Sequence, residues 1–358
     1  MKLKILFLVY IAGITQISCQ NKMNENNKFE WSGAVSAPKS YPAEVYSGHL
    51  ITGKTKDAYA YLPYNRIVES GLASPIHSTT ESIGVAPNAL DITWISYVEN
   101  KNYKGNFKLD TDKINALMAK GNDRPAYDEE TKKVKKVTDY AFDINVALIP
   151  GGVVFLYVSG TTTRTLVGRF QADLETKEVN WKDSYPQMKS NKEMDEVVAE
   201  AVARLPKEVQ DQVANNSIPF GYWDSLLKTH PITFAVTPEQ KVESLQVNYS
   251  NGELETIFLE YSKISEEKNR AIPSEVKLEW RDTGNRRMET LVTIDSEKLR
   301  KFLTEFGDAK IKFDFTIDTT TKPKDTKGLR FKMEADGKQL PLDEYIISQK
   351  SFLKSQQY

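Results

Sequence analysis

One pattern occurs twice in this chain and limits the folds open to it. Pro87-Asn-Ala-Leu90-Asp-Ile92-Thr-Trp94 returns as Pro273-Ser-Glu-Val276-Lys-Leu278-Glu-Trp280. Each copy reads proline, two residues, then apolar and polar positions alternating up to a tryptophan. That alternation is the period of a strand with one buried face, and proline is tolerated at a strand's mouth.

The likeness continues downstream in the same order. Leu109-Asp110-Thr111-Asp112-Lys113-Ile114 matches Ile294-Asp295-Ser296-Glu297-Lys298-Leu299. Asp and Thr or Ser are helix-capping residues, and the acid behind them suits the positive end of a helix. Ile114, Leu117 and Met118 then fall on one face, as do Leu299, Phe302, Leu303 and Phe306. Further strands follow at Phe142–Leu148 and Ile311–Ile317, with hairpin partners beginning at Gly152 and Gly328. Pro150-Gly151-Gly152 is a tight turn in the first copy. The opening strands match more loosely, Glu44–Gly48 against Gln246–Gly252. Two unrelated antiparallel sheets would share some of this grammar, but matches kept in order favour a duplication.

The expected fold class is therefore α+β: antiparallel β-sheets each with a packed helix, as two related repeats in tandem with a helical insert between them. Met194, Val197, Val198, Ala201, Val202 and Leu205 predict one insert helix, and Pro206 opens a second through Val209 and Val213. The first α+β domain is placed at 29–229, with the insert at 191–228. The second, a divergent repeat, is placed at 230–358, with the boundary near Thr229–Pro231.

The N-terminus predicts an address. Lys2 and Lys4 precede a short apolar stretch, Ile5 to Ile14, and Met1–Ser18 reads as a signal peptide. The stretch falls short of the roughly 18–20 residues that span a bilayer. Cys19, the only cysteine, stands where a lipoprotein signal peptidase needs it, with Ile17 and small Ser18 before it. Gln16 occupies the position where leucine is usual. Cys19 is expected to carry the lipid, with 19–28 as lipidated residue and polar tether (Gln20–Lys28, QNKMNENNK). The expected location is the cell envelope, lipid-anchored at the outer membrane and facing the periplasm. A plain cleaved signal with an incidental cysteine is the alternative.

Removing Met1–Ser18 takes two of the 48 basic residues and none of the 49 acidic ones, moving the net charge from −1 to about −3. No basic face for nucleic acid is implied. With Cys19 lipidated, no thiol or disulfide remains, and stability rests on packing.

The spans Leu90–Tyr103, Gly105–Met118 and Ile149–Gly160 (LDITWISYVENKNY, GNFKLDTDKINALM, IPGGVVFLYVSG) resemble a bacterial lipoprotein family known as domain of unknown function 2931. The shared order is an opening Trp31, a strand ending in Trp94-x-Ser96, then Tyr103, then Gly-Gly before an apolar strand. The resemblance covers roughly Phe29–Phe170, with Pro219–Trp223 fitting a longer version of the family. It implies an envelope location and no established chemistry. Some members are encoded near type VI secretion components, which makes an immunity role conceivable.

No catalytic, cofactor-binding or metal-binding residue is assigned, and no cofactor is expected. His49, His77 and His230 lack ligand spacing, and no cysteine is available for a soft metal. His77, in Ser74–Thr80, reads as a solvated loop histidine. There is no nucleophile elbow, P-loop or dinucleotide fingerprint. Asp110/Asp112 and Asp295/Glu297 are explained as helix caps without calcium. Trp94, Tyr97, Tyr103 and Trp280 read as core aromatics, with a glycan or partner groove as the alternative. Lys132–Lys136 reads as a solvated patch, or else as a contact for anionic headgroups. The favoured function is a non-catalytic protein-binding module, possible as an immunity protein, meeting the membrane through its lipid and a protein partner through the 191–214 helices and a loop at Leu72–Pro87. The alternative is an envelope hydrolase or glycan-binding protein with a dispersed site.

Overall fold

The computed structural model describes residues 29–53, 59–128, 130–304, 307, 309–320, 329–335 and 337–353. The expected signal peptide, Cys19 and the tether lie outside the described residues, as do Phe306 and Gly328.

Strand alternation dominates the first half. Strands β1 (Phe29–Ser36), β2 (Ala43–Ile51), β3 (Tyr59–Tyr61), β4 (Ile67–Val68), β5 (Ile76–Gly84), β6 (Ala89–Ser96) and β7 (Lys101–Lys108) lead into helix α1 (Thr111–Lys120). A hairpin of β8 (Asn122–Asp128) and β9 (Lys133–Asp139) follows. Next come β10 (Asp143–Ile149), β11 (Val153–Ser159), β12 (Thr163–Gln171) and the short β13 (Asp173–Leu174). The insert holds α2 (Lys192–Ala203), α3 (Lys207–Ala214) and the single turn α4 (Tyr222–Ser225).

The second half contains β14 (His230–Thr237), β15 (Val242–Tyr249), β16 (Leu254–Phe258), β17 (Lys268–Arg270), β18 (Pro273–Arg281) and β19 (Arg287–Ile294). Helix α5 (Ser296–Leu303) then precedes β20 (Ile311–Ile317), β21 (Leu329–Ala335), β22 (Lys338–Pro341) and β23 (Ile346–Leu353).

These elements form an α+β fold of largely antiparallel sheets. Five strands of the first half, in the order β12-β11-β10-β1-β5, continue a five-strand run of the second, β23-β19-β18-β15-β16. The join is β12 against β16, with Thr163 opposite Glu255 and Arg164 opposite Leu254. Side chains reinforce it: Tyr157 Oη donates to the Asn251 carbonyl at 2.6 Å, and Arg164 Nη1 to the Gly252 carbonyl at 2.9 Å. A six-stranded sheet (β13-β7-β6-β2-β3, with β4 beside β2) faces the first half of this long sheet, and a five-stranded one (β17-β14-β20-β21-β22) belongs to the second. Two large apolar clusters result, one drawn from Phe29 to Ala172 and one from Ile232 to Tyr345.

The two halves use the same pairings. β1 runs parallel to β10, and β14 runs parallel to β20; these are departures from a purely antiparallel plan. Val45 lies opposite Trp94 with a bulge just beyond, and Val242 lies opposite Trp280 with a bulge just beyond. Both tryptophans are fully buried. Asp110 Oδ1 accepts from Lys113 N at 3.0 Å, and Asp295 Oδ1 accepts from Lys298 N at 2.9 Å, so each caps its helix as the sequence predicts. Relative to the two tryptophans, Val45 in β2 and Val242 in β15 hold the same register position.

One other expectation changes, and the lysine run keeps its exposed, solvated character. Leu72–Pro87 is not a loop, because its polar residues form β5, the terminal strand of the long sheet. The lysine run Lys132–Lys136 enters β9, where Lys135 pairs with Asp128 and Lys136 with Asp123, each at 2.6 Å. The insert helices lie where predicted and turn Met194, Val198 and Val209 inward, against Ile95, Tyr97, Val98 and Trp181.

Candidate functional site

The edges of two sheets meet where β3 ends the six-stranded sheet and β5 ends the long one. Between them opens a cleft of about 500 Å³, lined by β2, the segment from β3 to β4, and β5. Its floor depends on Leu62, which is buried. Leu62 N donates to the Gly48 carbonyl at 2.9 Å, and its side chain sits 2.9 Å from where a β-carbon on Gly48 would lie and 3.0 Å from one on Gly33. Glycine at both positions is what lets this side chain sink between the strands. Gly33 is also the residue at which β1 bulges against β5.

Anchoring Leu62 turns its neighbours outward. Tyr61 and Tyr64 are 47% and 54% exposed, two large rings beside one depression. Tyr61 faces His49 with centroids 5.1 Å apart. Arg66 follows, exposed, and makes no ion pair among the described residues. Asn65 holds the segment to the stretch that leads into the insert, donating to the Ser184 carbonyl at 3.1 Å. Tyr46 completes the wall, donating to Asp183 at 3.1 Å and lying edge-on to Trp181 at 5.3 Å.

His77 reaches the cleft from β5, with Nδ1 3.2 Å from Oδ1 of Asp143. Asp143 is buried, and the same Oδ1 accepts from the Ser32 hydroxyl. Serine, histidine and aspartate thus meet, but the order differs from that of a nucleophilic relay. In such a relay the serine hydroxyl passes its proton to imidazole, and the carboxylate orients that imidazole from behind. Here the carboxylate lies between the other two, and the hydroxyl points at it. The sequence offered His49 and His77 as scattered; the fold brings both to one cleft, whereas His230 is buried in β14. His77 belongs to a strand and not to a loop, while its side chain is half exposed, as expected of a solvated histidine.

Two carboxylates outside the cleft gather hydrogen bonds, Glu44 buried and Glu99 half-buried. Glu44 accepts from Tyr97 Oη at 2.6 Å and from the Tyr185 hydroxyl. Burial raises its proton affinity above that of an ordinary glutamate, although both phenols act in the opposite direction. Glu99 accepts from Ser96 Oγ at 2.7 Å, Tyr103 Oη at 2.6 Å and Gly151 N at 2.9 Å. It fastens the Pro150–Gly152 turn to β7. Tyr97, Tyr103, Trp94 and Trp280 are thus core residues, as the sequence predicts. The glutamates were missed, and one signal was available: Glu44 falls among Ala43 and Val45 in a strand, where a charge is unexpected.

No curated protein and no solved structure matches the chain. A family described as a protein of unknown function (DUF2931) matches residues 18–221, a span longer than the 29–170 expected and one that takes in the insert helices α2 and α3. The cleft, strands β1–β13 and helices α1–α3 fall within it, and over that span, more than half of its length, the chain belongs to the DUF2931 family.

Proposed function

We propose that this protein is a lipid-anchored envelope lipoprotein that works by binding a protein partner through the aromatic cleft. Met1–Ser18 would be its signal peptide, Cys19 its lipidated residue, and the periplasmic side of the outer membrane its location. The observation that carries the binding reading is the exposure of Tyr61, Tyr64 and Arg66 around one depression. Tyrosine and arginine are the residue types that dominate binding energy at protein interfaces. An immunity role is one form of this reading. A photo-crosslinking residue at position 64 in intact cells tests it. One discrete adduct is expected, and its absence, with the protein present in the envelope at its normal level, counts against the reading.

The lipid anchor has its own test: Cys19→Ser should abolish fatty-acid incorporation and detergent partitioning. A hydrolase is the second reading; it rests on the meeting of Ser32, Asp143 and His77, in which the carboxylate and not the imidazole holds the hydroxyl. Ester turnover by the purified protein, lost in Ser32→Ala, would establish it.

Duplication also belongs here. We propose two related domains, about 29–229 and 230–358, descended from one unit. The shared parallel pairing, the shared bulge beside a buried tryptophan and the two equivalent aspartate caps support this.

A further inference from the structure

Resting on the reading of the cleft as a partner site, the geometry points to an acidic peptide segment as the part of the partner that enters it. Charge is the first argument. Among the described residues that line the cleft, none is a carboxylate. Two acids beside it are committed elsewhere: Asp143 is buried and held by His77 and Ser32, and Asp183 accepts from Tyr46 and Asn180. Arg66, by contrast, projects from the rim without an ion pair among the described residues. A guanidinium with its five donors uncommitted is best matched by a carboxylate, which it can grip at two points.

Shape supplies the second argument and separates a peptide from an acidic sugar. The cleft is bounded by two terminal strands, β3 and β5, from different sheets. A strand edge is the surface to which an extended peptide adds by main-chain pairing, while its alternate side chains enter flanking pockets. Tyr61 and Tyr64 are placed to flank such a segment, and Arg66 to meet an acidic side chain on it. A saccharide would gain less from a strand edge.

The test is a selection of phage-displayed random octapeptides on the full chain, with parallel binding of oligogalacturonate. Peptides enriched in Asp or Glu are expected. Arg66→Ala should weaken the best of them about tenfold or more, as loss of a charge-assisted pair does. Arg66→Glu should erase the acidic preference. Both substitutions are at an exposed side chain, and circular dichroism verifies that the fold is kept. Enriched peptides without acidic bias, enrichment indifferent to Arg66, no enrichment, or binding of the oligosaccharide in preference to peptides would each overturn the inference. The adduct at position 64 reports on the partner site separately. An adduct without acidic selection removes this inference and leaves the binding reading standing.

Discussion

Phe107 and Phe170 stack with ring centroids 5.0 Å apart, and each ring lies over the glycine two residues before it in its own strand. Phe107 belongs to β7 of the six-stranded sheet and Phe170 to β12 of the long one, so the pair ties the two layers of the first half together. The rings fit only because Gly105 and Gly168 have no β-carbon.

Gly105→Ala is therefore expected to push Phe107 off its partner. The loss should be about 1–3 kcal/mol, the usual range for overpacking a filled site. Urea unfolding measures it. A neutral result would mean that the ring can move aside freely.

Acid stability should depend on Glu255. Burial would raise this carboxyl, but hydrogen bonds and charge from Arg270, helped by Lys268, hold it down at about 2. A lowered folded value makes the contribution present above the ordinary glutamate value of 4.5 and lost as pH falls through about 2. The size is on the order of 3 kcal/mol. Glu255→Gln should be markedly less stable than the parent at pH 7, and the gap should narrow steadily in unfolding measured down to pH 2.

Glu44 should act with the opposite sign. Its folded value is raised, so its contribution is complete below the ordinary glutamate value and declines as pH rises through the folded one. Tyr185→Phe removes one of the two phenols that oppose this rise. Expected are a further upward shift of Glu44 and looser docking of the insert, worth about 1–2 kcal/mol. Hydrogen exchange should locate the lost protection in residues 181–203, and unchanged exchange there would show that Tyr185 does not hold the insert.

Asp110→Ala and Asp295→Ala should have matching effects, each about 1 kcal/mol, the ordinary value of a lost helix cap. Thermal unfolding of the two variants tests whether the capped helices contribute alike in both halves. Unequal losses would indicate that the helices have diverged in importance.

Much of this architecture was legible because it is local. The Pro-x-x-apolar pattern before Trp94 and Trp280 marks a half-buried strand, and Asp110 and Asp295 mark helix starts, each from neighbours in sequence. The insert helices were readable from the spacing of Met194, Val198 and Val209. The cleft was not, because it is made by contacts between distant residues. His49 and His77 come together through β2 and β5, and Asp143 arrives from a strand beyond both. Leu62 looked like any apolar residue near a proline. β5 was misread since Ser78-Thr79-Thr80 is as polar as a loop, and only pairing with β1 makes it a strand.

The join between β12 and β16 bears on solubility. In the whole chain, the second half supplies the strand that covers the Thr163–Arg164 end of the β12 edge. A fragment ending at Gly221, where the family match ends, would leave that edge bare next to Tyr157 and Arg164, whose polar groups would lose the Asn251 and Gly252 carbonyls. Bare edges recruit further strands, from another copy if nothing else is present. Residues beyond 230 thus serve the first half as an edge guard against self-association, a role that does not depend on what the cleft binds.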